Sequence, residues 1–200
     1  MLKAVELTCE RGGRALFRGL SFELGAGELL RVGGENGTGK TSLLRILCGL
    51  LEPIAGEVRW RGEAIRALRE DYSRELVYLG HAPAVKDELT PAENLAITCR
   101  LAGREASSRQ VRDALEQFGL RGNPATKRLS QGQRRRAALA RLLLAESIPL
   151  WLLDEPFSAL DAAAARFTEG LIAAHVARGG TAIYTTHQEV GITASRVIEL

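Results

Sequence analysis

The segment "GELLRVGGENGTGKTSLLRIL", residues 27–47, decides how the whole chain is read. It opens as an apolar run of strand length and closes as a helical pattern, "KTSLLRILCGL". Between them lies "GENGTGKT", Gly34 to Thr41, a match to G-x-x-x-x-G-K-[ST]. Glycines at these spacings let the backbone wrap closely and turn its N–H groups inward at a helix N-terminus, which makes an anion cradle. Gly34, Glu35, Asn36, Gly37, Thr38, Gly39 and Ser42 are therefore candidate nucleotide-binding residues. Lys40 is placed to reach β- and γ-phosphates, and the Thr41 hydroxyl to bind Mg2+.

Working outward, "LKAVELTCE" and "ALFRGLSFEL" are partly alternating segments around a Gly-Gly turn and read as strands near a sheet edge. "GEVRWRG" and "LVYLG" are further strands. From about residue 84 to 145 the pattern is helical: "ELTPAENLAITCRLAG", "SSRQVRDALEQFGL" and "SQGQRRRAALARLLLAE". Thr90, Pro91 and Glu93 stand as N-cap, first helical position and capping-box partner of the first, and Ser130 is placed to cap the third. Strands return with "PLWLLDE", nearly all apolar up to its acids, as a parallel strand covered on both faces should be. A helix over "AAAARFTEGLIAAHVARG" and strands "TAIYTTH" and "RVIEL" complete the chain. The expected fold is α/β: a mainly parallel sheet with antiparallel edge strands and an all-helical insertion, in one domain over 1–200. Its site should lie at the carboxyl ends of the strands.

Composition narrows the class. A 46% hydrophobic share and 26% charged residues suit a globular core in a chain of 200 residues. No apolar stretch approaches the roughly eighteen residues of a membrane span, and the N-terminus becomes charged too soon for a signal peptide, so we expect a chain kept in the cytosol. Cys9, Cys48 and Cys99 are scattered without metal-ligand spacing and read as reduced thiols. A net charge of +3 suits anionic ligands or a membrane surface, but the basic residues are spread out and do not indicate nucleic acid.

"LWLLDE" adds the acids: Asp154 is placed to hold Mg2+ and Glu155 to activate the attacking water. "LSQGQRRRAALARLLL" resembles the signature of ABC-type ATPases, in which a Ser-x-Gly-Gln turn opens a helix. Ser130, Gly132 and Gln133, at the positive helix end, can address a γ-phosphate. "SALD", Ser158 to Asp161, and "TTH", ending at His187, follow in that family's order, and His187 looks like the histidine that contacts the γ-phosphate.

The resemblance runs over essentially the whole chain. It implies a P-loop NTPase of RecA-like fold, ATP and Mg2+ as ligands, and a head-to-tail dimer closed by ATP. In that dimer the phosphate loop of one copy faces Ser130 and Gly132 of the other. "CERGGRALFRGLSFEL", "AGEVRWRG", "LGH", "LSQGQRRR" and "TTHQ" resemble one branch, the ATP-binding subunit of the haem exporter used in bacterial cytochrome c maturation. That branch implies integral membrane permease subunits as partners and a peripheral place on the cytoplasmic face of the inner membrane. Two departures stand out. The family's aromatic near Arg11 that stacks on adenine is missing, since none occurs between Met1 and Leu16, leaving Arg11 to stack through its guanidinium plane or the base held loosely. In "RELVYLGHAP", residues 74–83, His81 replaces the glutamine that usually reaches toward Mg2+ and the attacking water. Rival readings, a soluble ABC ATPase of DNA or translation, a non-hydrolysing ATP-binding module and a P-loop kinase, lack respectively an extra insertion, a lost catalytic group and any use for "LSQGQ".

Overall fold

The computed structural model describes every residue except Asn123 and Glu189. Two sheets divide the strands. Leu2–Arg11 (β1), Arg14–Leu24 (β2), Ala55–Trp60 (β4) and Glu63–Ala64 (β5) form an antiparallel sheet in the order β2-β1-β4-β5. Leu29–Gly33 (β3), Leu76–Leu79 (β6), Leu150–Leu153 (β7), Thr181–Thr185 (β8) and Arg196–Glu199 (β9) form a parallel sheet in the order β6-β7-β8-β3-β9. The antiparallel strands thus gather in a sheet of their own, on the far side of helix Lys40–Leu47 (α1).

Period-two alternation sorts the parallel sheet's side chains into two cores. Leu30, Val32, Ile183, Leu150 and Leu152 pack with Leu43, Leu44 and Leu47 of α1 and with Leu2 and Leu7 of β1. The opposite face, with Leu29, Ala182, Trp151, Leu153 and Leu79, packs under helices Pro91–Leu101 (α4), Ser108–Gln117 (α5), Gln131–Leu139 (α6) and Ala162–Ala177 (α7). Every residue of β7 and β8 is buried, and β7 accordingly reads as an unbroken apolar run. Each large apolar side chain so buried contributes about 1.5–3 kcal/mol.

Between residues 84 and 145 the described residues hold no strand, and the regular elements are α4, α5, α6 and the 3-10 segments Thr126–Arg128 and Ala140–Leu144. Three reciprocal capping boxes start these helices, Thr90 with Glu93, Ser107 with Gln110 and Ser130 with Gln133. The short helices Ile65–Leu68 (α2) and Glu70–Arg74 (α3) were not expected from sequence. They have no side-chain cap and are joined through Arg69 at φ +47°, so tertiary packing of Ile65 and Tyr72 carries them rather than local signals. No helix among the described residues is long and apolar enough to cross a membrane.

Candidate functional site

Strand register builds the site. Val32 pairs with Thr185, Tyr184 with Leu153, and Leu153 with Leu79. The residues that follow these strands, Gly80, Asp154, Thr186 and Gly34, therefore emerge side by side. They open on a cleft of about 390 Å³. Its walls are Asn36, Gly37, Gly39, Lys40, Thr41 and Ser42 from the glycine loop, Arg11 and Leu16 from the β1–β2 hairpin, and His81, Asp154, Glu155 and His187 from the strand ends. A larger, more apolar hollow of about 490 Å³ lies between α4 and α5, lined by residues such as Val111 and Leu115, and holds none of these groups.

The loop closes on itself through Lys40. Its ammonium, in a residue only 7% exposed, donates to the carbonyls of Gly34 (2.6 Å) and Glu35 (2.8 Å), while Thr38 Oγ1 donates to Glu35 O (3.0 Å). Gly39, at φ +115°, has a backbone that disfavours a side chain, and a Cβ there would crowd Leu16 Cβ at 3.0 Å and Phe17 Cδ1 at 3.2 Å. Phe17, the residue after Leu16, is thus the first aromatic near the loop, and its ring lies beside Gly39. Arg11 lines the cleft with Leu16 as its apolar companion.

The acids are held by a chain of hydrogen bonds across three strand ends. Thr41 Oγ1 donates to Asp154 Oδ2 (2.9 Å), and Thr185 Oγ1 donates to Asp154 Oδ1 (2.8 Å) and accepts from the Glu155 N–H (2.9 Å). His187 Nδ1 lies 3.1 Å from Glu155 Oε1, whose companion Oε2 is buried without a partner. Glu155 itself has φ +49°, an uncommon backbone for a non-glycine residue. A hydroxyl and a carboxylate in contact are hard oxygen donors of the kind Mg2+ takes when phosphate and water complete its octahedron. Among the described residues no cluster of three metal-ligating acids, histidines or cysteines exists.

Ser130, Gly132 and Gln133 do not line this cleft. Ser130 Oγ accepts from the Gln133 N–H (3.2 Å) and Gln133 Oε1 accepts from the Ser130 N–H (2.9 Å), so the two side chains cap α6. At Gly132 a Cβ would fall 2.5 Å from the Ala159 carbonyl, so only glycine lets the helix start rest on the loop after β7.

Two residues escaped the sequence reading. Thr185 carries no signal in the sequence beyond its place in "TTH", yet its hydroxyl joins both acids. Arg135, 3% exposed, reaches the carbonyls of Gly80, His81, Asp154 and Glu155. Its signal was helical phase, since position 135 shares a face with the buried Ala138, Leu139 and Leu142. Burial lowers its pKa to about 10, with Asp154 and Glu155 pulling the other way, so it stays a cation at neutral pH. The thiols form no disulfide among themselves, and burial pushes Cys48 up to about 11.

Comparison with known proteins adds the context. The ABC transporter family profile matches residues 17–158. The chain is 55% identical over 202 aligned residues to the "Cytochrome c biogenesis ATP-binding export protein CcmA" of Dechloromonas aromatica, covering all of this chain and 98% of that protein. The protein of the same name from Nitrosospira multiformis is 50% identical, with 100% and 97% covered. Among solved structures, a putative ABC transporter ATP-binding protein from Pyrococcus furiosus superposes with a TM-score of 0.85 at 23% identity, covering 100% of this chain and 96% of that one, a likeness of fold.

Proposed function

The chain belongs to the ABC transporter family, and from that premise we propose that it is the ATP-binding and ATP-hydrolysing subunit of a membrane export complex serving cytochrome c biogenesis. It is an ATPase whose hydrolysis is coupled to transport. The finer reading is that it energises haem export, or release of haem from its chaperone, while bound peripherally to permease subunits at the cytoplasmic face of the bacterial inner membrane. The relatives' name supports the export role.

The observation that supports the chemistry best is the chain Thr41–Asp154–Thr185–Glu155–His187 beside Lys40. Lys40 swings from the loop carbonyls to the β- and γ-phosphates, while the loop amides hold their oxygens. Thr41 and Asp154 would hold Mg2+, which supplies charge neutralisation across the β- and γ-phosphates. Glu155 takes a proton from the attacking water as the new O–P bond forms and the bond from the γ-phosphorus to the bridging oxygen breaks. His187 keeps the Glu155 carboxylate aimed and contacts the γ-phosphate. The His81 ring, which lines the same cleft, accepts a hydrogen bond from that water. Ser130 and Gly132, which do not line their own cleft, serve the nucleotide of a second copy.

The test is phosphate release by the Glu155→Gln variant. Turnover should fall roughly 100-fold or more, the range of a lost acid–base group, with ATP binding kept. Wild-type turnover in that variant would remove Glu155 from the reaction.

A further inference from the structure

Arg135 is a buried cation that none of the assignments above uses. It lies on α6, five residues past Ser130, and its terminal nitrogens reach no carboxylate oxygen. They reach four main-chain carbonyls on two separate segments. Nη1 donates to Gly80 O (2.9 Å) and His81 O (3.2 Å), and Nη2 to Asp154 O (2.6 Å) and Glu155 O (2.6 Å). The planar guanidinium can hold two pairs of acceptors at once in fixed relative geometry, which no other side chain does. Burying such a charge costs several kcal/mol before its partners offset it, so this is an expensive way merely to fill space.

What the fork grips matters. The strained Glu155 backbone is pinned on both sides of its Cα, its N–H donating to Thr185 Oγ1 and its C=O accepting from Arg135. A backbone in that region persists only where its surroundings over-determine it. The direction in which the Glu155 carboxylate enters the cleft is therefore set partly from α6. So is the exit of the His81 loop from the neighbouring strand β6.

We propose that Arg135 is a positioning residue that holds Glu155 and His81 in register and ties both to the Ser130 end of α6. A second copy that engages Ser130 through its nucleotide then moves helix, base and His81 loop as one body. This rests on the reading of Glu155 as the water-activating group. Failure of that reading shows separately, as Glu155→Gln turning over normally.

The experiment uses the full chain with Arg135→Lys, which keeps the charge and loses the fork, and Arg135→Gln, which can hold one segment only. Both should bind a fluorescent ATP analogue within about threefold of wild type and keep KM, while kcat drops on the order of 10- to 100-fold, as small misplacements of reacting groups do. The Arg135→Lys loss should be less than multiplicative with that of His81→Ala, since the two act through one unit. A folded Arg135→Lys with wild-type kcat, or losses that simply multiply, overturns the proposal. Should neither variant fold, hydrogen exchange on the wild-type chain decides. ATP must change protection of residues 79–84, 131–136 and 153–157 together, and a change at the cleft walls without the helix refutes the coupling.

Discussion

His175, on α7, shows how one residue can fix a solution property unrelated to the site. It is 1% exposed and stacks on Trp151 with ring centroids 3.9 Å apart and planes 5° from parallel. Its Nε2 is buried without a hydrogen-bond partner. Burial lowers its pKa to about 4, against about 6.5 when unfolded. Between those values the unfolded chain takes up a proton that the folded chain refuses, so stability rises with pH across the window. The contribution is complete above the unfolded value and lost as pH falls toward about 4, amounting to roughly 3 kcal/mol. Urea midpoints between pH 7.5 and 4.5 should fall accordingly, and more shallowly in His175→Gln. Parallel slopes for the two chains would refute the assignment. Lys40 gives a second residue-level prediction. Lys40→Ala removes the main positive charge on the phosphates, and charge-assisted bonds of 1.5–3 kcal/mol imply at least about tenfold weaker ATP binding. Unchanged affinity in a nucleotide titration would sink the phosphate-loop reading.

At the scale of elements, capping separates fold from function. Thr90 and Ser130 each start a helix with the same reciprocal box, but only Ser130 stands in the signature turn. Thr90→Ala and Ser130→Ala should each cost about 1 kcal/mol, a shift of a few degrees in Tm. Only Ser130→Ala should also weaken ATP-driven dimerisation and turnover. Equal turnover in the two variants would reduce Ser130 to a cap. Such elements were legible because their signals are local: Thr90-Pro91-x-Glu93, the apolar run of β7, the glycine loop between β3 and α1. What was not legible depends on parts distant in sequence. Thr185 matters only because β8 pairs with β7, and Arg135 only because α6 packs over the ends of β6 and β7. Arg69, at φ +47° between two uncapped short helices, carries no local signal of its conformation.

At the scale of the whole molecule, the phosphate loop and the signature turn lie apart. Lys40, Thr41, Asp154, Glu155 and His187 share one cleft, while Ser130 and Gly132 lie outside its walls. In a head-to-tail dimer with two-fold symmetry, each cleft takes its phosphate loop from one copy and its signature turn from the other. This makes a prediction that a self-contained site does not. Lys40→Ala chains lack a working phosphate loop but keep Ser130, and Ser130→Phe chains keep the loop but block the signature turn. Each alone should be inactive, because every site in its homodimer carries the defect. Mixed one to one, about half of the dimers are heterodimers, and in each the two defects fall in the same cleft, leaving the other intact. Turnover should therefore return to roughly a quarter of the wild-type rate under random pairing and independent sites. It should also rise with protein concentration, since the isolated chain has no membrane partner to hold two copies together and is expected to be largely monomeric. Phosphate release measured on each variant, on the mixture and across a dilution series tests this directly. A mixture no more active than its components would place Ser130 in service of its own chain, or show that one intact cleft cannot turn over alone. A wild-type mixture with a dead chain distinguishes these: if one cleft suffices, diluting wild type with Lys40→Ala leaves activity in the heterodimers, and the head-to-tail reading then falls.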